Sequence, residues 1–226
     1  MDGRNPVKKR PRPSSVRNST PLRQNLRSAL LNRVLNGDLK AGEAINESRL
    51  AAQLKVSRTP LREALLQLER EGFIRSDERR GFSVEHLSAR DVREIYPLVW
   101  TLEGLALRSS GVCAHLLVPE LIRINSDFAK ANHARKALAL DTRWHEYLTS
   151  ESRNRRLQAS LAALRLAIRR YEIVYMANSC LIPDSVNQHK RIIHALQAHD
   201  IDAAAKALEN NWRFGMEVLI RKMGEE

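Results

Sequence analysis

Cysteine is nearly absent from this 226-residue chain: Cys113 and Cys180 are its two, with no short spacing between them. A disulfide framework and a cysteine-based zinc finger are therefore both excluded. Glycine is sparse at nine residues, and aromatic side chains make up only 5%. No apolar run approaches the roughly 18 residues that a membrane span needs. The basic N-terminus is followed by no apolar stretch, so it does not read as a secretory signal. What remains is rich in alanine, leucine and arginine, a composition that leans towards helix. Hydrophobic residues reach 43%, enough to bury a core and to exclude a wholly disordered chain. The chain reads as an intracellular, mostly α protein.

Acidic residues are outnumbered, 26 against 38 basic, for a formal net charge of +12. Their distribution is uneven. Residues 1–19 carry six basic residues against Asp2 alone, and residues 20–86 carry twelve against nine. Residues 87–226 hold twenty against sixteen, so most of the excess lies in the first 86 positions. That half is expected to meet a polyanion.

Residues 1–19 combine Pro6, Pro11 and Pro13 with Lys8-Lys9-Arg10 and show no apolar period, which predicts a flexible basic arm. Pro21 after Thr20 reads as a helix start with threonine as its cap, and Leu22, Leu26, Leu30, Val34 and Leu35 follow at helical spacing. Asn46 caps a short second helix, Glu47 to Leu54. A third opens at Ser57-Arg58-Thr59-Pro60, with Pro60 at its first position. Leu61, Ala64, Leu65 and Leu68 form its apolar face, and Gly72 stops it. Two β-like runs follow, 73–76 and 82–85, joined by the charged tip Asp77-Glu78-Arg79-Arg80-Gly81. Three helices and then a hairpin is the winged helix-turn-helix order, here over residues 20–86.

From Ser88 onward the signals are all helical. Ser88 with Asp91 resembles a capping box, and helices are predicted near 89–110, 118–132, 137–151, 154–178, 185–199 and 201–222. Residues 87–226 are thus predicted to form an all-α antiparallel helical bundle. Asp141 and His145 are four apart on one helix and share a face, while His189 and Asn211 lie on two later helices. An oxygen ligand and imidazoles projecting inward from facing helices is how bundles build metal sites. Taken singly, Asp141 with His145 is an ordinary hydrogen-bonded pair and His189 a core or surface histidine. Trp144 and Trp212 read as core packing, and the two cysteines as buried small apolar residues.

The run Val56-Ser57-Arg58-Thr59-Pro60-Leu61-Arg62-Glu63-Ala64-Leu65 resembles the N-terminal domain of GntR-family bacterial transcription regulators. Asn46-Glu47-Ser48-Arg49-Leu50-Ala51, Leu68-Glu69-Arg70-Glu71-Gly72-Phe73-Ile74 and Arg79-Arg80-Gly81-Phe82 extend that resemblance over the whole unit. It implies double-stranded DNA as partner, met by Arg58, Thr59 and Arg62. The physics agrees: Ser57, Arg58 and Thr59 stand at a helix N-terminus, where backbone N–H groups and the helix dipole favour a phosphate. Arg58 is long enough to reach a guanine edge, and Arg62 shares its face. Arg49 is a further candidate, because Ser48 stands where the family commonly has arginine. In the wing, Arg79 and Arg80 precede Gly81, where a glycine permits close approach to a minor groove.

Asp141-Thr142-Arg143-Trp144-His145, Ser152-Arg153-Asn154 with Leu157, and His189 with Ile192, Ile193, Ala195, Leu196 and Asp200 resemble the C-terminal ligand-binding (FCD) domain of the FadR-type branch of that family. The resemblance implies a divalent metal, commonly zinc, held by Asp141, His145 and His189 beneath a small-molecule effector pocket. Asn211 occupies the fourth ligand position, usually histidine, as ligand or effector contact. Val99 replaces an arginine that in many members holds a carboxylate effector. Together these imply a cytoplasmic, homodimeric, effector-responsive regulator of a short inverted-repeat operator, and no enzyme. Two rivals are a metal-dependent hydrolase using Asp141, His145 and His189, and an effector-free architectural DNA binder.

Overall fold

The computed structural model describes residues 19–77, 81–86 and 88–224. The basic arm up to residue 18 lies outside them, as do Arg79 and Arg80 in the wing. The chain divides between Val84 and Glu85 into two compact units.

The first unit has the order α1 (Ser19–Leu35), α2 (Glu47–Leu54), α3 (Arg58–Arg70), β1 (Ile74–Asp77) and β2 (Gly81–Val84). Helix α3 buries Leu61, Ala64, Leu65 and Leu68, one stripe at i, i+3, i+4, i+7. That stripe packs on α1, α2 and β1, where Leu26, Leu30, Leu50, Phe73 and Phe82 are also buried. Asn46 Oδ1 caps α2 by accepting from Arg49 N at 2.9 Å. Lys55 ends α2 in the left-handed region at φ 54°, which sets the tight turn into α3. Arg27 of α1 forks onto Glu71, just past α3, with Nε–Oε1 at 2.8 Å.

Two local expectations are corrected. Helix α1 begins at Ser19, not after Thr20, and Pro60 is the third residue of α3 rather than its first. Proline is accepted there because N–H groups of the first turn have no intrahelical partner. The hairpin is antiparallel, pairing Ile74 with Val84 and Asp77 with Gly81. Gly81 closes it at φ +72°, a conformation that favours glycine. The loop between α1 and α2 joins this hairpin through Gly42 N to Val84 O at 2.8 Å and Ile45 N to Phe82 O at 2.7 Å.

The second unit consists of α4 (Ala89–Ser110), a 3-10 turn (Gly111–Leu117), α5 (Val118–Ala129), α6 (Ala134–Leu148), α7 (Arg155–Met176), a 3-10 turn (Ser179–Leu181), α8 (Ile182–Gln197) and α9 (Ile201–Gly224). Helix α4 packs on α7 and α9, α5 on α6 and α8, and α8 on α9. They share one core that includes Tyr96, Phe128, Trp144, Ile168, Trp212 and Leu219. Helix α6 starts three residues earlier than expected because His133 Nδ1 caps it, accepting from Lys136 N at 3.2 Å. Helix α8 starts at Ile182, with Pro183 in its first turn. Cys180, expected to be buried, is exposed in the short turn before α8. The side chain of Cys113 lies outside the described residues.

Ser88 caps α4 as expected, but Asp91 does not reach back to complete a capping box. Ser88 N instead donates to Tyr171 Oη at 3.4 Å, and Asp91 Oδ2 accepts from Tyr171 Oη–H at 2.8 Å. Arg170 adds a bond from Nη1 to the Glu85 carbonyl at 3.2 Å. Helix α7 thereby clamps the start of α4. Among the described residues no helix is long and apolar enough to cross a membrane.

Leu68 is fully buried, so Leu68→Ala should cost about 2–5 kcal/mol through lost transfer energy and a residual cavity. Urea unfolding of the whole chain, followed by circular dichroism, should show the first unit melting earlier. A loss well under 1 kcal/mol would contradict the packing of α3.

Candidate functional site

Asp141, His145 and His189 are brought together. One ligand atom from each lies within 4.8 Å of the others, and all three residues are buried. Asp141 and His145 lie on the inner face of α6, four residues apart, beside Trp144. His189 comes from α8, between Val186 and Ile192 on that helix's buried face. Its ring stacks on Trp144 with centroids 3.8 Å apart and planes 4° from parallel. Trp144 is held in turn by Nε1–H donating to the Leu121 carbonyl at 3.2 Å. The two tryptophans are core residues, and they also orient the imidazoles.

Each imidazole is fixed through Nδ1. The Nδ1–H of His145 donates to Glu103 Oε2 at 2.9 Å. Glu103, on α4, is fully buried and also accepts from Trp212 Nε1 at 2.7 Å and from Arg165 Nη2 at 2.7 Å. Burial pushes the Glu103 carboxyl up, but the charges of His145 and Arg165, with the hydrogen bonds from His145 and Trp212, outweigh it and hold it at about 2. Asn125 plays the matching part for His189. Its Nδ2 donates to the Val186 carbonyl at 3.1 Å, so its Oδ1 is the atom that accepts from His189 Nδ1–H at 3.0 Å. That pairing sets the tautomer and leaves a bare lone pair on Nε2.

His189 Nε2 is the one fully buried side-chain polar atom without a hydrogen-bond partner among the described residues. Asp141 Oδ1 stands 3.5 Å away and makes no hydrogen bond to it. Burial lowers the His189 pKa well below 6.5, with the His145 charge adding to the effect, so the ring is neutral and the contact is no ion pair. Burial raises Asp141 to about 6, His145 opposing and Glu103 adding. The bare Nε2 lone pair and an Asp141 oxygen thus face each other at 3.5 Å with no hydrogen bond between them. An orphaned buried group costs about 1–3 kcal/mol, and a cation shared by the two removes that cost. The donor set, two imidazole nitrogens and a carboxylate with a position open, fits a divalent ion such as zinc.

A cavity of about 30 Å³ adjoins this cluster. Its lining includes Asp141, His145, Tyr96, Glu172, Tyr175 and Asn211. Asn211 therefore lines the site, with its Nδ2 bonded to Gln188 Oε1 at 3.0 Å. Glu103, Asn125, Arg165 and Glu172 were absent from the sequence-derived candidates. A signal existed: Glu103 interrupts the apolar face of Val92, Tyr96, Val99 and Leu107, and Asn125 sits within that of Leu121, Ile124 and Phe128.

In the first unit, Ser57, Arg58, Thr59 and Arg62 lie exposed at the N-terminal end of α3. Ser57 is the N-cap residue but makes no side-chain cap bond. Arg62 is 63% exposed, 3.7 Å from Glu47, with its guanidinium 5.7 Å from the Phe82 ring centre. Arg49 is exposed on α2, and Gly81 is exposed at the start of β2. These residues share the first unit with the described edge of the wing.

Comparison with known proteins gives the geometry a lineage. Residues 22–84 match the family described as bacterial regulatory proteins, gntR family, and residues 94–213 match the FCD domain. The uncharacterised HTH-type transcriptional regulator YdhC of Bacillus subtilis is 30% identical over 190 residues, covering 82% of this chain and 85% of that protein. A probable D-xylose utilization operon transcriptional repressor of Paenarthrobacter nicotinovorans is 28% identical, covering 85% of this chain and 86% of its own. Among solved structures, a GntR regulator from Rhodococcus sp. RHA1 superposes with a TM-score of 0.75 at 19% identity, over 88% of this chain and 98% of that one. E. coli McbR/YncC gives 0.70 at 20% identity, over 89% and 98%. The chain belongs to the GntR family of bacterial transcription regulators, with a winged helix-turn-helix domain followed by an FCD domain.

Proposed function

We propose that this protein is an effector-responsive transcription regulator of the cytoplasm that binds a short inverted-repeat operator as a homodimer. Its FCD domain would hold a divalent cation through Asp141, His145 and His189. The bare Nε2 of His189, buried against Asp141, carries the metal part of this reading. When bound, the ion supplies a fixed positive charge that holds the cluster together and can attract an effector. Asn211 offers only an amide oxygen, a poorer ligand than imidazole for a borderline metal, and so can leave the fourth position to water or an effector.

The DNA-binding part rests on the exposed N-terminus of α3. The uncapped Ser57 hydroxyl and the first backbone N–H groups suit a phosphate. Arg58 and Arg62 suit base edges, and Arg49, Thr59 and Gly81 suit backbone or groove contacts. Arg79 and Arg80 complete the proposed wing contact from sequence alone. A single head covers too few base pairs for useful specificity, which favours two heads related by a twofold axis.

Helix α4 supports a route between the two functions. It carries Glu103 at the cation site and, three turns earlier, Asp91 in the clamp with Tyr171. Glu85, held by Arg170, follows the last residue of β2 directly. An effector that alters the site would bias the placement of α4, with a coupling on the order of 1–3 kcal/mol between effector and operator.

Three outcomes test the proposal. Arg58→Ala and Arg62→Ala should each weaken operator binding in a mobility-shift assay by about 1–3 kcal/mol while circular dichroism stays helical. Unchanged binding in both contradicts the recognition-helix reading. Light scattering should return twice the chain mass, and a monomer that binds one palindrome tightly contradicts the dimer. Calorimetric titration of zinc into chelator-treated protein should show binding that His189→Ala abolishes and Asn211→His tightens. Failure of both wild type and Asn211→His to bind reduces the trio to a polar core cluster.

A further inference from the structure

Glu172 is the buried carboxylate that the site has not yet used. It lies on the inward face of α7 with Ile168, Tyr171 and Tyr175, only 8% exposed. It lines the same small cavity as Asp141 and His145. Glu103 is held by three neighbours. Glu172, by contrast, makes no hydrogen bond or ion pair among the described residues and opens onto the cavity.

An unpartnered carboxyl is costly in such a place. Burial, and then the charges of Asp141 and Glu103, push it well above the usual carboxylate range, and Arg165 and Arg169 offset only part of this. Two acidic side chains, Asp141 and Glu172, thus face a cavity whose described lining holds no lysine or arginine, while Arg165 is bonded to Glu103 behind His145. The charge lacking is positive and the atom lacking is a donor. A hydrated divalent cation supplies both. The cavity, at about 30 Å³, has room for little more than an ion and one water, since a water needs roughly 10–15 Å³ measured this way.

We propose that Glu172 accepts a hydrogen bond from the water in the open position of the cation held by Asp141, His145 and His189. This inference rests on the cation site proposed above. Glu172 is then a positioning residue, secured to the ion through a donor rather than by direct ligation. It takes over the anchoring that a histidine in place of Asn211 would give. An effector that displaces this water is selected for a hydroxyl, or a similar donor, facing Glu172.

The test uses the full chain after chelator treatment, with Zn²⁺ and Co²⁺ as probes. Glu172→Gln should bind Zn²⁺ roughly 10- to 100-fold more weakly by calorimetry, the range seen when outer partners of a metal site are removed. In Co²⁺-loaded protein the visible d–d bands, which report the ligand sphere, should differ between wild type and variant. Metal-free Glu172→Gln and Glu172→Leu should both melt above metal-free wild type, because a buried unpaired carboxyl has gone; this also confirms that they fold. Unchanged Zn²⁺ affinity overturns the proposal. So do unchanged Co²⁺ bands alongside weaker Zn²⁺ binding, since a remote charge acts on affinity alone. A wild type that binds neither ion overturns the cation site itself, a separate failure.

Discussion

The second unit is organised around the Glu103 carboxylate. Four helices meet there: α4 provides the carboxylate, α6 the His145 donor, α7 the Arg165 fork and α9 the Trp212 N–H. Arg165 Nη2 also reaches the His145 carbonyl at 3.1 Å and Thr149 Oγ1 at 2.8 Å, so both ends of the His145 residue are held. Taking a carboxylate out of water costs several kcal/mol, repaid only when its lone pairs are filled by well-placed donors. Glu103 meets that condition, and the geometry that satisfies it leaves one orientation for His145. Asn125 imposes the same discipline on His189 from α5. With Nδ1 of each ring committed, Nε2 is the nitrogen that each has left to offer.

Legibility in the sequence followed the range of the interactions. The α2 boundaries, the apolar stripe of α3 and the hairpin were readable because caps, turn residues and helical spacing act within a few residues. The pairing of the α1–α2 loop with β2 was not, since it depends on backbone bonds between residues about 40 apart with no side-chain signature. The trio Asp141, His145 and His189 was legible from residue type and spacing. Its supports were not, although Glu103 and Asn125 visibly interrupt apolar faces. A polar residue on such a face declares that it needs a partner, without saying which. Glu103 finds His145 at a separation of 42 residues and Asn125 finds His189 at 64.

The misplaced details have the same origin. The periodicity of α3 does not distinguish proline at its first position from proline at its third, because both lie in the turn that leaves N–H groups unpaired. Asp91 looked like a local cap partner for Ser88, yet Tyr171, eighty residues later, offers its carboxylate a donor at 2.8 Å. That tertiary bond won over the local one. It also binds α4 to α7 at the end of α4 nearest β2 in sequence, while Glu103 binds the same two helices three turns away through Arg165. Helix α4 is thereby held to α7 at two points, one of them within the candidate cation site.

The central claim is that His145 and His189 turn their Nε2 atoms to one cation beside Asp141. X-ray absorption at the zinc edge of the zinc-loaded protein tests it most directly. The account predicts the multiple-scattering signature of two imidazoles, with the remaining ligands oxygen. A spectrum with oxygen ligands alone, or with sulfur from Cys113 or Cys180, would contradict it.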